Sequence, residues 1–280
     1  MPVGENREPW IALLSDTHID ADLGKEVRGV NMADQLSVVV ERLLSGPRPF
    51  AVLANGDMSR DTGEVGDYVT LHRLLQPIYD SDVLYQLTMG NHDHRAKYHQ
   101  SIQEAYGGRP ASRINGAALK LRWHNATLDF DATRWLMLNS LRETDEIAGE
   151  LGLRQREWLS NELDAQPNTP TFILVHHQPE DPQDPDDDGF GLADGAALLE
   201  MLRERQQVKA IFHGHRHAWT VREAHGIHIV GLPATSYVFA EGETAGYVEA
   251  RVRPDHLQLT RRCVDPQDPA EGQTHRLAYR

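Results

Sequence analysis

Cysteine is all but missing from this chain. Cys263 stands alone, so no intramolecular disulfide can staple the fold and no thiolate set can hold a zinc ion. Basic charge is also scarce. Lys plus Arg total 28 against 42 Asp plus Glu, a formal charge of −14, and that balance argues against nonspecific binding to nucleic acid or to an anionic membrane. No apolar run approaches the roughly 18 residues of a membrane span. The first residues, Met1 to Pro9, carry Glu5 and Glu8 where a secretory signal would carry basic residues and then an apolar stretch. A cytoplasmic protein is the expectation. At 280 residues and 40% hydrophobic content, the chain can bury a substantial core. No composition break marks a linker, so one domain over residues 1–264 is expected, with a loosely ordered polar tail at 265–280. Histidine, by contrast, is plentiful: fifteen copies, several of them clustered.

Five apolar runs have the length of buried strands: Trp10–Leu14, Phe50–Ala54, Val83–Met89, Thr171–Val175 and Val208–Phe212. Helical spacing lies between them, with Leu36, Val39, Val40, Leu43 and Leu44 forming one stripe. Shorter stripes occur at Trp158, Leu159 and Leu163, and at Leu198, Met201 and Leu202. A second group, Leu119–Trp123, Thr127–Phe130, Arg134–Asn139, His225–Gly231, Ala245–Val252 and His256–Cys263, reads as strands without helices between them. Alternating strands and helices predict an α/β layered fold, and the meander-like strands predict mixed sheets. The Pro- and Asp-rich segment Pro179–Gly191 reads as a solvated acidic loop.

The residues just past each apolar run are more informative than the runs themselves. Ser15-Asp16-Thr17-His18 comes after the first, Asn55-Gly56-Asp57 after the second and Gly90-Asn91-His92-Asp93 after the third. His176-His177 comes after the fourth and His213-Gly214-His215-Arg216-His217 after the fifth. Ligands of open α/β sheets bind beyond the carboxyl ends of strands, so five strands deliver Asp, His and Asn to one edge. Any one of these residues alone reads as a helix cap or turn residue. Five together do not. His72, His94, His99, His124, His225, His228, His256 and His275 read as ordinary polar groups, and His177 and His213 as structural neighbours of the cluster.

Carboxylate, imidazole and amide donors without thiolate suit Mn, Fe or Zn. Asp16, His18, Asp57, Asn91, His176, His215 and His217 are too many for one tetrahedral zinc, and they fit two ions if one carboxylate bridges. Two such ions about 3.5–4 Å apart can clamp the attacking and leaving oxygens of a phosphoryl transfer.

In this order, Asp16-Thr17-His18, Gly56-Asp57, Gly90-Asn91-His92-Asp93, His176 and Gly214-His215-Arg216-His217 resemble the five motifs of the calcineurin-like metallophosphoesterases. Gly149-Glu150-Leu151 with Gln155–Leu163 is similar to a segment of their class III cyclic-nucleotide phosphodiesterase branch. The resemblance implies a four-layer αββα sandwich with two mixed sheets between helices. It implies one metal on Asp16, His18, Asp57 and His217, and a second on Asp57, Asn91, His176 and His215. Phosphodiester hydrolysis would then proceed by attack of a metal-bridging hydroxide, with His92 assisting the leaving group and Asp93 orienting His92. Arg60 and Arg95 are candidate contacts for substrate phosphate.

Two branches fit less well. Arg60 stands where purple acid phosphatases carry a tyrosine, and Gly90-Asn91-His92-Asp93 departs from the G-N-H-E of protein Ser/Thr phosphatases. His176-His177-Gln178-Pro179 also departs from the H-H-P-P common among the phosphodiesterases. The expected substrate is a small phosphoester, such as a cyclic nucleotide or a glycerophosphodiester. The alternatives are a phosphomonoesterase on the same site, a nuclease of the same superfamily (which the acidic loop disfavours for long strands) and a non-catalytic metal-containing binding module.

Overall fold

The computed structural model describes residues 9–106, 125–179 and 188–279. The first half of the chain runs β1 (Ile11–Leu14), β2 (Glu26–Val27), β3 (Val30–Asn31), α1 (Met32–Ser45), β4 (Ala51–Asn55), α2 (Val65–Leu74), α3 (Gln76–Tyr79), β5 (Leu84–Thr88) and α4 (Arg95–Tyr106). The second half runs β6 (Ala126–Phe130), β7 (Thr133–Leu138), α5 (Gly152–Ala165), β8 (Thr171–Val175), α6 (Gly195–Leu202), β9 (Val208–His213), β10 (Thr220–Ala224), β11 (Ile227–Gly231), β12 (Gly246–Val252), β13 (His256–Cys263) and β14 (Thr274–Ala278).

Two six-stranded sheets result, in the orders β14-β13-β12-β1-β4-β5 and β10-β11-β9-β8-β7-β6. In the first, β1, β4 and β5 are parallel neighbours, and β12 closes on β1 antiparallel. In the second, β7, β8, β9 and β11 are parallel, with antiparallel β6 and β10 at the edges.

Strand alternation sorts the side chains into layers. Ile11 and Leu13 of β1 face the second sheet, while Ala12 and Leu14 face α1 and its neighbours. On β8, Phe172 and Leu174 meet the first sheet, while Ile173 and Val175 meet α5 and α6. Both faces of each sheet are therefore covered, which is why the central strands read as unbroken apolar runs. The layers are helix, sheet, sheet, helix, as expected. Between the sheets Trp135 packs on Phe172 and Phe212, with ring centroids 4.6 and 5.9 Å apart. The predicted stripe of α1 is buried at Leu36, Val39, Val40 and Leu43, and the helix begins where the Asn31 side chain accepts from Asp34 N–H at 3.1 Å.

One expectation changes. The segment after residue 264 is not a loose tail, because Thr274–Ala278 pairs antiparallel with β13 and buries Leu277. Arg95–Tyr106, where the sequence shows no helical stripe, forms α4. The strand expected at Leu119–Trp123, His124 and residues 180–187 of the acidic segment lie outside the described residues. No helix among the described residues is long and apolar enough to cross a membrane.

Candidate active site

β1, β4 and β5 end side by side in one sheet, and β8 and β9 end side by side in the other. The two carboxyl edges meet, and specific hydrogen bonds join them. The Asn55 side-chain amide donates to the carbonyls of Val175 at 3.1 Å and Phe212 at 3.3 Å, tying the end of β4 to the ends of β8 and β9. Thr88 Oγ donates to Leu138 O at 2.5 Å and ties β5 to β7. The β1–β4 pairing also runs on past the strands: Asp16 N–H donates to Gly56 O at 3.1 Å and His18 N–H to Asp57 O at 3.0 Å.

The residues just past the strand ends have an uncommon backbone. Asp16, His18, Asp57, His215 and His217 all have positive φ, between 47° and 68°, and make up five of the ten non-glycine cases among the described residues. Such conformations cost free energy, and they concentrate where a fold must aim a side chain. The motif glycines make room for the result. A Cβ at Gly90 would collide with Asp57 Oδ1 and the His176 ring, and one at Gly214 with Ser15 and Asp16. Both positions need glycine for close approach.

The imidazoles are oriented by backbone carbonyls. His18 Nδ1 faces Arg60 O at 3.3 Å, His176 Nδ1 faces Asn55 O at 2.8 Å and His217 Nδ1 faces Tyr237 O at 2.6 Å. A carbonyl can only accept, so each Nδ1 carries the hydrogen and each Nε2 turns a lone pair inward. Those lone pairs converge. His18 Nε2 and His217 Nε2 are 3.2 Å apart, His217 Nε2 is 3.3 Å from Asp16 Oδ1, and His176 Nε2 is 3.2 Å from Asp57 Oδ2. Donor atoms of Asp16, His18 and His217 lie within 4.8 Å of one another, as do those of Asp16, Asp57 and His176.

Electron pairs gathered this tightly repel unless a cation sits among them, so the residues fit bound metal. Three further observations agree. Asn91 Oδ1 and His176 Nε2 are buried with no hydrogen-bond partner. Burial opposes protonation of His176, yet the Asp57 charge overcomes it and pushes that imidazole up to about 9, so the site draws positive charge. Asp57 itself stays well below the usual carboxylate range: burial would raise it, but His176 beside it prevails. His18 behaves differently, with burial outweighing Asp57 and pushing it down to about 4, which keeps it a neutral donor. His215 joins through its backbone, donating N–H to Asp16 Oδ1 at 3.1 Å, while its ring lies with those of His176 and His177. His177 is fully buried, its Nδ1 2.7 Å from Ser140 Oγ.

His92 lies at the rim, half-buried, with its ring 5.1 Å from that of His18. Its N–H donates to Asp57 Oδ1 at 2.9 Å, and its Nδ1–H donates to Asp61 O at 2.8 Å. Asp93 does not orient it. Among the described residues no hydrogen bond joins the Asp93 carboxylate to the His92 ring. Its oxygens instead accept from Met58 N–H, Ser59 N–H, Gly90 N–H and Tyr68 O–H at 3.0–3.2 Å. Asp93 therefore fixes the turn that carries Asp57. Burial, reinforced by the Asp57 charge, pushes its carboxyl up to about 6.

The two expected phosphate contacts are engaged elsewhere. Arg60 pairs with Asp20, and the Arg95 guanidinium donates to Leu141 O. Asn55, Asp61 and Tyr237 were not expected in supporting roles. For Asp61 and Tyr237 no sequence signal marks the hold on the imidazoles, because each makes it through a main-chain carbonyl. Asn55 stood in plain view at the end of an apolar run.

Comparison with known proteins places this arrangement. The model of the calcineurin-like phosphoesterases matches residues 9–219. A 3′,5′-cyclic-nucleotide phosphodiesterase of Nostoc sp. is 27% identical over 235 residues, covering 84% of this chain and 81% of that protein. The 3′,5′-cyclic adenosine monophosphate phosphodiesterase CpdA of Pseudomonas aeruginosa is 27% identical over 251 residues, covering 88% and 83%. Among solved structures, a dimetal phosphatase from Danio rerio superimposes with a TM-score of 0.70 at 15% identity over 97% of this chain and 99% of that one, a likeness of fold. With the motifs, the layered sheets and the converging donors in agreement, the chain belongs to the calcineurin-like phosphoesterase family.

Proposed function

We propose that this protein hydrolyses small phosphodiesters, cyclic nucleotides foremost, at a dinuclear metal centre. One observation carries the reading: inward-facing Nε2 atoms and two deeply buried carboxylates converge in overlapping donor groups that share Asp16 and Asp57. One ion would be held by Asp16, His18, Asp57 and His217, and the other by Asp57, Asn91, His176 and His215. The donor chemistry suits Mn, Fe or Zn. When bound, the ions supply Lewis acidity toward water and the phosphoryl oxygens.

The chain's own groups do the rest. The Asp61 carbonyl fixes the Nδ1–H tautomer of His92, so proton traffic at that ring passes through Nε2. An imidazolium there can protonate the departing alkoxide of a diester. Charge at the rim favours the diester as well. Asp61 and Asp145 stand with His92, their ligand-type atoms within 4.8 Å of one another, and this negative charge opposes a dianionic monoester more than a monoanionic diester. The relatives named as cyclic-nucleotide phosphodiesterases support the same choice.

The test compares bis(p-nitrophenyl) phosphate with p-nitrophenyl phosphate, with added Mn²⁺ and with EDTA. Diester turnover should exceed monoester turnover and vanish with EDTA. A monoester preference would make the protein a phosphatase. No turnover with metals bound would leave a binding module.

A further inference from the structure

Beside the metal-ligand residues stands an exposed aromatic ring that the hydrophobic core does not explain. Phe239 is 52% exposed, in the loop between β11 and β12. Its ring lies nearly parallel to the imidazole of His217, with centroids 4.2 Å apart and a 26° tilt. Tyr237, two residues earlier, meets it edge-on at 5.8 Å, and the Tyr237 carbonyl holds His217 Nδ1, so the loop is anchored to the site. Over the Phe239 ring, 5.2 Å from its centroid, stands the guanidinium of Arg28, carried on the exposed turn between β2 and β3. Arg28 makes no ion pair and no hydrogen bond among the described residues.

A second aromatic–arginine pair on the same rim provides a contrast. Phe190 is 44% exposed, with Arg216 5.7 Å from its centroid. There the arginine is committed: it pairs with Asp188 and donates to Gln178 Oε1 at 3.1 Å. Only at Phe239, among the described residues, does an uncommitted cation stand over an exposed aromatic ring that also touches a candidate metal ligand.

We propose that Phe239 and Arg28 form the platform for the base of a nucleotide substrate. The inference rests on the phosphodiesterase reading of the same centre and narrows it to nucleoside-bearing esters over glycerophosphodiesters. A flat π-system beside an anionic ester is the chemistry that matches an exposed aromatic ring and a guanidinium next to a candidate metal cluster. Stacking also accepts any base, so the platform selects for the presence of a base over its identity.

The test is calorimetric binding of AMP and of ribose 5-phosphate, which share phosphate and ribose, to the Mn²⁺-loaded full chain. Wild type should bind AMP more tightly, by roughly 5- to 100-fold. Phe239→Ala should collapse that ratio toward one, Phe239→Trp should preserve it, and Phe190→Ala should leave it at the wild-type value. In kinetics, Phe239→Ala should raise KM for cyclic AMP more than it lowers kcat, and should lower kcat/KM for cyclic AMP more than for glycerophosphocholine.

Equal binding of the two ligands by wild type would overturn the proposal. So would equal weakening of both by Phe239→Ala, which would make the ring a prop for His217, or collapse of the ratio in Phe190→Ala instead. Failure of the phosphodiesterase reading is separable, because it would appear as absence of diester turnover by wild type whatever the AMP ratio.

Discussion

The two sheets have six strands each, yet they bring different chemistry to the seam. The first contributes all the charge and the amide: Asp16 and His18 after β1, Asp57 after β4 and Asn91 after β5. The second contributes only imidazole, from His176 after β8 and from His215 and His217 after β9. The supports differ in the same way. On the first sheet the turn of Asp57 is held by a buried carboxylate, Asp93, gathering several N–H donors. On the second, single carbonyls set the rings of His176 and His217. A carboxylate needs its competing hydrogen bonds arranged around it, whereas an imidazole needs only one nitrogen occupied to aim the other. The first sheet therefore sets the charge of the site and the second sets its directions.

Removing the shared carboxylate should break this division most severely. Asp57→Ala is expected to lose metal and turnover together, with kcat/KM falling by on the order of 10³ or more. Metal analysis beside the diester assay checks it, and full activity in a metal-depleted variant would refute it. His92→Ala probes a group that belongs to neither set of ligands. Metal content should stay at the wild-type level while kcat falls by about 10²–10⁴.

Asn55→Ala cuts the stitch between the sheets and keeps the main-chain carbonyl that faces His176. It should cost about 1–3 kcal/mol in denaturant unfolding and weaken metal affinity roughly 10- to 100-fold. Unchanged affinity would mean the sheets hold their relation without it.

The smallest effect on turnover is expected far from the seam, as a control. His72 is buried in the helical layer, its Nε2 3.2 Å from Ser101 Oγ, and burial pushes it down to about 4. Its unfolded value is near 6.5, so between those limits the unfolded chain binds more protons. The stability it confers is complete above pH 6.5 and is lost as pH falls toward 4, by up to about 3 kcal/mol. In His72→Leu, unfolding curves between pH 7 and 4.5 should show a smaller loss than in wild type.

Much of this was legible in the sequence because burial on two faces leaves a clear mark. Five apolar runs, each followed by polar residues, located β1, β4, β5, β8 and β9 and with them the residues gathered at the seam. The less visible elements are amphipathic on short lengths. In β14, Thr274–Ala278, only Leu277 is buried, and one inward side chain in a polar stretch makes no pattern. Helix α4 was hidden for a similar reason, since Tyr98 and Ile102 are the apolar contacts it offers its core. Asp93 misled through the resemblance. The orienting role it implied does not hold, because consecutive side chains leave a turn in different directions, and this one accepts from the N–H groups of Met58 and Ser59 behind Asp57. Arg60 and Arg95 misled through charge alone, since a sequence does not show which acceptor a guanidinium finds first.

The seam also governs when the site comes into existence. His18 and His217, whose nitrogens stand 3.2 Å apart, are 199 positions apart along the chain. During synthesis the carboxylates of the first sheet emerge early, while the imidazoles of β8 and β9 arrive only after most of the chain has been made. Closing so long a loop is slow compared with local structure. Metal held at this seam is therefore a mark of completed folding, and a chain stalled or truncated before β9 would carry charge without the means to hold an ion.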